Sequence, residues 1–207
     1  TTIAGQAGVN GTNNGTATNA HFDTPQGITA DESANLYIAD TYNYTIRRIT
    51  PSGVVSTLAG KAGVSGTSNG TGTNALFNVP VAVVADKAGN LYVADNYTIR
   101  KITPSGAVST FAGKAGVAGS ANGTGTNATF NAPVGLALDN ATNLYAVDGD
   151  NRLVRKITPQ GVVTTVAGQV GVSGTSNGIG TNAQFESPSA IAVDGATNIY
   201  VGDSGAI

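Results

Sequence analysis

The sequence predicts an all-β chain, a β-propeller built of four-stranded antiparallel blades. Three observations predict it. The chain repeats itself: Phe22, Phe77, Phe130 and Phe185 are spaced by 55, 53 and 55 residues, and two further series, Pro25, Pro80, Pro133, Pro188 and Asp40, Asp95, Asp148, Asp203, keep the same spacings. Self-similarity at a period of this size marks a repeat architecture. The apolar stretches are four to six residues long, rich in Val, Ile, Thr and Tyr, and bounded by Gly, Pro, Asn and Asp, as strands are. Finally, each repeat holds four such stretches, and the connections between them suit antiparallel hairpins.

Thr1-Thr-Ile-Ala-Gly5 matches Ser56–Gly60, Ser109–Gly113 and Thr164–Gly168, so the chain is expected to open inside the last strand of a repeat. A linker of the form AGxxGVxGTxNG follows, and then an Asn-Ala-x-Phe-x-x-Pro lead-in. A first strand is expected at Gly27–Ala30, Ala82–Ala85, Gly135–Leu138 and Ala190–Val193, and a second at Leu36–Ala39, Leu91–Ala94, Leu144–Val147 and Ile199–Gly202. Each ends on an Asp. A third strand carries Ile46–Ile49, Ile99–Ile102 and Val154–Ile157. Thr-Pro-Ser/Gln-Gly turns it into a fourth, Val54–Leu58, Ala107–Phe111 and Val162–Val166. In that turn the proline presets φ and the glycine takes positive φ. The first strand pairs a large residue (Ile28, Val83, Leu136, Ile191) with a small one (Gly27, Ala82, Gly135, Ala190), which suits strands that converge on an axis.

The expected organisation of 1–207 is a single partial propeller. Residues 1–5 end a preceding blade, 22–60, 77–113 and 130–168 are complete blades, and 185–207 is an incomplete one. With its third strand missing, a closed ring of about four repeats is not expected, and a piece of a longer propeller is. Ile199–Gly202 is then an open edge, and open edges invite pairing with other chains.

Only 11% of residues are charged and the net charge is -2, whereas nucleic-acid binding usually begins with a basic face; no nucleic acid is expected as a partner. With 40% hydrophobic residues the chain can bury a core. No apolar run approaches the ~20 residues of a spanning helix, so no membrane span is expected, and no signal-peptide pattern is present. Cys, Met and Trp are absent. Without Cys there is neither a disulfide framework nor thiol chemistry. Without Met, a processed protein or a piece whose start lies elsewhere is expected. Low charge with abundant Gly, Thr, Ser and Asn points to a secreted or cell-surface protein.

Three pieces recur in fixed order: Pro-x-Gly/Ala-hydrophobic-x-x-Asp, then Asn-Leu-Tyr-Val-Ala-Asp, then Ile-Arg-Lys-Ile-Thr-Pro-x-Gly. In this the chain resembles the NHL repeat, in four copies over nearly its whole length. The resemblance implies a β-propeller, commonly six-bladed. It does not imply one activity, since relatives include adhesion and scaffold modules, RNA binders, and amidating-lyase or lactonase-like enzymes. The inserts between blades are longer than in the minimal repeat and resemble the Gly-rich version of bacterial extracellular members.

Eight repeated aspartates (Asp31, Asp40, Asp86, Asp95, Asp139, Asp148, Asp194, Asp203) supply most of the twelve acidic residues. They suit a ring of Ca²⁺ ligands or strand-end turns that accept backbone N–H bonds. The turn reading is preferred, because a metal or catalytic site occurs once and these occur in every repeat. In the basic pairs Arg47-Arg48, Arg100-Lys101 and Arg155-Lys156, strand alternation sends the members to opposite faces, so no dense basic patch is expected. His21 is the only histidine, and Leu76, Thr129 and Gln184 stand at its equivalents. No His-rich metal site, GxSxG nucleophile or phosphate loop with its Lys is present. No cofactor, metal or catalytic residue is expected, and the chain reads as a non-enzyme.

The functional lead is geometric. In a four-stranded antiparallel blade, the turn between the second and third strands lies at the same end as the inserts. Tyr42, Asn43, Tyr44, Asn96, Tyr97, Asp150 and Asn151 occupy those turns and vary between repeats. Variable aromatic loops on a rigid body are where binding resides. The expected function is a non-enzymatic extracellular or surface interaction module, a scaffold that binds a protein or glycan on its loop-rich face. One alternative is a structural subunit: Pro51–Asp95 and Pro104–Asp148 share 30 of 45 positions, so unmatched ends can join head to tail into rings or filaments. Another is a propeller hydrolase or lyase whose metal site lies in blades outside this chain.

Overall fold

A computed structural model describes residues 2–204. Among them, the strands group into three five-stranded sheets and one two-stranded sheet, all antiparallel. The first repeat holds β1 (Gly15–Thr16), β2 (Pro25–Ala30), β3 (Leu36–Asp40), β4 (Thr45–Ile49) and β5 (Val54–Ala59). The second holds β6 (Gly70–Thr71), β7 (Pro80–Ala85), β8 (Leu91–Asp95), β9 (Thr98–Ile102) and β10 (Ala107–Gly113). The third holds β11 (Gly123–Thr124), β12 (Pro133–Leu138), β13 (Leu144–Asp148), β14 (Leu153–Ile157) and β15 (Val162–Ala167). The fourth has β16 (Pro188–Val193) and β17 (Ile199–Asp203) among the described residues.

The first and third sheets run β1-β5-β4-β3-β2 and β11-β15-β14-β13-β12. The four expected strands are therefore present in the expected order. Each first strand begins two residues earlier than expected, at its proline, a position where a strand tolerates the missing donor. The fifth strand is an addition. Gly-Thr at the end of the first three inserts folds back onto the fourth strand of each repeat, pairing Gly15 with Val55, Gly70 with Val108 and Gly123 with Val163. Two-residue edge strands of this kind leave little open edge for unwanted pairing.

The chain divides into two compact units. One runs to Asp95 and takes in Lys101–Ser109; the other comprises Asn96–Arg100 and the chain from Thr110 onward. In the first unit, Ala39, Ile46 and Ala59 pack with Ala75, Phe77, Val83, Leu91, Val93, Ile102 and Val108 in one buried cluster. Phe77 is completely buried there. A smaller cluster of Ala20, Ile38, Ile49 and Val55 lies under Phe22 and Leu36. In the second unit Phe130, Leu136, Leu144, Val147, Leu153 and Ile157 are buried.

Small residues on the first strands have the expected packing role. A Cβ on Gly27 of β2 would stand 2.7 Å from Ala82 Cα and 2.8 Å from the Val81 carbonyl of β7. Within the second unit, a Cβ on Gly135 of β12 would stand 3.1 Å from the Ser189 carbonyl of β16. The aspartates that close the first strands make the expected turns. Asp31 Oδ1 accepts the N–H groups of Ser33 and Asn35, both at 2.9 Å, and Asp86, Asp139 and Asp194 repeat the arrangement.

One expected element is corrected. Thr2–Gly5 form no strand, although their sequence matches β5, and Thr1 lies outside the described residues. In the first repeat the matching residues pair with β4; among the described residues no strand pairs with Thr2–Gly5, and a strand without a ladder leaves its N–H and C=O groups unpaired. Gly5 instead donates its N–H to the Ala17 carbonyl at 3.1 Å. Residues 205–207, the end of the expected last piece, also lie outside the described residues. Among the described residues no helix is long and apolar enough to cross a membrane.

Candidate functional site

Among the described residues, β3 and β13 each end in a buried aspartate, and the turn after it is built on that carboxylate. In the first unit, Asp40 Oδ1 accepts the Asp23 N–H at 2.7 Å, while Oδ2 accepts Asn43 Nδ2 and Arg47 Nη1, both at 2.8 Å. The Arg47 guanidinium lies 5.1 Å from the centre of the Phe22 ring. It then reaches the insert: Nη1 donates to the His21 carbonyl at 3.0 Å, and Nη2 donates to the Asn13 carbonyl at 2.9 Å and to Asn14 Oδ1 at 2.8 Å. Asn43 Nδ2 also donates to the Gly11 carbonyl at 2.7 Å.

The second unit repeats the set around Asp148. Asn131 N–H, Asn151 Nδ2 and Arg155 Nη1 donate to it at 2.7, 2.8 and 2.9 Å. Arg155 stacks 5.2 Å from the Phe130 ring and donates to the Thr129 and Ala121 carbonyls and to Asn122 Oδ1. Asn151 Nδ2 donates to the Gly119 carbonyl at 2.7 Å. Asp95 and Asp203 hold the same strand-end place, each accepting two consecutive N–H groups from the lead-in. Burial pushes the carboxyls of Asp40 and Asp148 up. Their hydrogen bonds and the facing guanidinium oppose that push without cancelling it.

This clamp ties every partner into the scaffold, which leaves the turn surface as the candidate for binding. Tyr42 is 59% exposed. It sits in a tight 3₁₀ turn, Thr41–Asn43, whose other two side chains are buried. Thr41 Oγ1 donates to the Pro80 carbonyl at 2.8 Å, and the Tyr42 N–H donates to the Asp23 carbonyl at 3.1 Å. Tyr44 closes the turn in the left-handed region with φ 58°, where a bulky residue is an outlier. Asn96 and Arg152 take the same conformation at their turns, with φ 55° and 57°.

The seven turn residues therefore separate into different roles. Tyr42 and Asp150 are exposed, whereas Tyr44, Asn96 and Tyr97 are half-buried. Asn43 and Asn151 are buried and spend their amides on Asp40 and Asp148 and on the inserts. Tyr42, Asn43 and Tyr44 belong to the first unit, and Asn96, Tyr97, Asp150 and Asn151 to the second. In each unit a turn meets an insert, through Asn43 to Gly11 and Asn151 to Gly119. Sequence reasoning missed Arg47 and Arg155 as the centres of the clamp. Their signal was the offset of seven residues from Asp40 and Asp148, which on paired strands brings the two side chains together. The first unit also carries an apolar groove of about 410 Å³ lined by Ile3, Phe22, Pro25, Ile28, Leu36 and Ile38 among others.

No family model matches the chain. Human NHL repeat-containing protein 2 is 30% identical over 168 residues, which are 74% of this chain and 23% of that protein. Among solved structures, a protein of unknown function from Bacteroides thetaiotaomicron is 28% identical with a TM-score of 0.74, covering 89% of this chain and 46% of that one. An auxiliary nutrient binding protein from Bacteroides ovatus shares the fold at 21% identity and a TM-score of 0.69, over 90% and 46% of the two chains. Virginiamycin B lyase from Staphylococcus aureus shares it at 20% identity and a TM-score of 0.60, over 88% and 50%. The chain thus spans about a quarter of the human relative and no more than half of these solved structures. With its four copies of the repeat, this likeness in sequence and this shared fold, the chain belongs to the NHL-repeat β-propeller family.

Proposed function

We propose that the chain is a non-enzymatic interaction module of a secreted or cell-surface bacterial protein, and that the turns between second and third strands bind a protein or glycan. The observation that carries this reading is Tyr42. Its ring is largely exposed, yet its backbone is held by buried neighbours on either side. A rigid aromatic loses little conformational entropy when it is covered, which makes it an efficient anchor. The left-handed Tyr44 beside it supports the same reading, because strained backbone collects at functional sites. The auxiliary nutrient binding protein of Bacteroides ovatus offers support from fold alone, as a binding protein built on this architecture.

The test is a glycan array and a pull-down with the 207-residue chain, followed by titration of any hit. Tyr42→Ala should weaken the hit at least about tenfold, the loss of an interface anchor worth more than 1 kcal/mol. Unchanged binding removes this turn from the site. Turnover of a bound lactone or glycan would overturn the non-enzymatic reading.

A second reading is favoured by the apolar groove. Ile28 is 61% exposed there, whereas its equivalent Val83 is 3% exposed beneath the first repeat's Ala39, Ile46 and Ala59. A second copy of the chain covering that groove would be a head-to-tail structural subunit. Light scattering that returns a dilute monomer rules this out.

A further inference from the structure

What recurs from repeat to repeat belongs to the scaffold, and what occurs once is free to serve a ligand. The strand-end aspartate and its arginine recur; the surface beside Tyr42 does not. The Tyr42 N–H donates to the Asp23 carbonyl at 3.1 Å, which sets the lead-in beside the turn. Asp23 Oδ1 accepts Asn10 Nδ2 at 3.1 Å and Thr24 Oγ1 at 3.3 Å, whereas Oδ2 accepts no hydrogen bond among the described residues. Thr24 holds φ 52°, a conformation in which a β-branched residue is an outlier and of the kind that collects at functional sites. All four residues belong to the first unit.

Where the first repeat has Asn10, Asp23 and Thr24, the second has Ser65, Asn78 and Val79, and the third has Ala118, Asn131 and Ala132. The second turn is two residues shorter and has no counterpart of Tyr42, and the third has Asp150 in its place. Of these three repeats, only the first combines an aromatic ring, a carboxylate and two side-chain donors. The same places stay open behind a complete blade: in the second repeat Ser65 is exposed, Asn78 is half-buried and Val79 is 37% exposed.

Resting on the reading of Tyr42 above, we propose that this surface binds a neutral glycan, with a sugar ring laid on Tyr42 and adjacent hydroxyls bonded to Asp23 and Asn10. A sugar presents an apolar C–H face together with hydroxyls that both donate and accept. Tyr42 supplies the ring, whose electron-rich face suits polarised C–H groups. Asp23 Oδ2 accepts a charge-assisted hydrogen bond from one hydroxyl. Asn10 keeps a second amide N–H and its side-chain carbonyl for the neighbouring one. An anionic ligand would meet Asp23, which forms no ion pair among the described residues, on a chain of net charge -2. A cationic ligand, with donors alone, would leave the Asn10 N–H unanswered.

The chain is screened on an array of neutral oligosaccharides beside their sulfated and sialylated forms, and hits are titrated at low and high salt. A neutral hit whose affinity holds across salt is expected. Asp23→Asn should weaken it at least about tenfold, the difference between a charge-assisted and a neutral hydrogen bond. Asparagine already stands at this place in the second and third repeats, as Asn78 and Asn131, so the fold accepts the change. Tyr42→Phe should keep the affinity, and Tyr42→Ala should lose at least about tenfold. An array without a neutral hit, or a hit that Asp23→Asn leaves unchanged, overturns the glycan inference. A protein partner lost in Tyr42→Ala but kept in Asp23→Asn overturns it too, yet leaves the turn as the binding site. A hit indifferent to Tyr42→Ala overturns both.

Discussion

Arg155 and Asp148 form an ion pair of 2.9 Å with neither side chain reached by solvent. Arg47 and Asp40 form the same pair at 2.8 Å. Each arginine also turns its Nη groups to an insert and its lead-in, so one side chain joins strand, strand end and loop. The Gly-rich inserts have few large side chains to pack, and this polar anchor holds them where a hydrophobic one is lacking.

Breaking the pair from the acidic side leaves a buried guanidinium without its counter-charge. Asp148→Ala should therefore cost about 3–5 kcal/mol, the range for orphaning one partner of a buried pair. Urea denaturation of the variant beside the parent measures it. A loss below about 1 kcal/mol would mean that the pair behaves as a surface one.

Asn151 and Tyr42 sit on equivalent turns but should respond oppositely. Asn151→Ala removes bonds to Asp148 and to the Gly119 carbonyl, at a cost of about 1–3 kcal/mol. Faster amide exchange should follow in the insert around Gly119. Tyr42→Ala touches an exposed ring and should stay within about 0.5 kcal/mol of the parent. Equal losses in the two variants would contradict this division of the turn.

Much of this was legible in the sequence, for physical reasons. Strands and their order follow from local alternation and turn chemistry, which Asp31 with Asn35 and Thr50 with Gly53 carry within a few residues. The fifth strand was not legible, because Gly15-Thr16 has no alternation to show and is extended only by pairing with β5. Alternation correctly separated Arg47 from Arg48 but could not say which one goes inward; the structure buries Arg47. The turn asparagines were read as surface because polar turn residues usually are. Asn43 is only 5% exposed, since Asp40 behind it supplies an acceptor that sequence spacing alone did not reveal.

The aspartates should give stability a pH dependence of both signs. Burial works against ionisation of Asp139, but the Asn143 side chain, the N–H groups of Asn143 and Ala141 and the Tyr145 hydroxyl outweigh it, so its carboxyl lies below the usual 3.8. Asp31 is lowered in the same way, and Asp194 chiefly by its Asn198 partner. A lowered folded value gives stability that is present above 3.8 and is lost as pH falls through the folded value. Asp40 and Asp148, raised chiefly by burial, contribute the reverse, with stability lost as pH rises through their folded values. Denaturation midpoints across acidic pH should thus rise up to about that point and decline above it. Asp139→Asn should flatten the lower limb and leave the upper one. An unchanged lower limb would show that this turn does not govern it.

Strands β2 and β7 come close together at Gly27. At Gly27, the nearest atoms to an added Cβ are backbone, Ala82 Cα at 2.7 Å and the Val81 carbonyl at 2.8 Å. Backbone in a paired strand cannot swing aside as the tip of a long side chain can. At Gly135 the tightest contact is 3.1 Å, and the next is a side-chain atom of Ile191. Gly27→Ala should therefore cost about 1–3 kcal/mol through overpacking, and Gly135→Ala less. Adding Ala82→Gly to Gly27→Ala should not restore stability, because the clash is with a Cα and a carbonyl that glycine keeps. Melting curves of the three variants decide it: full recovery in the double variant would place the crowding in the Ala82 methyl and not in the main chain of β7.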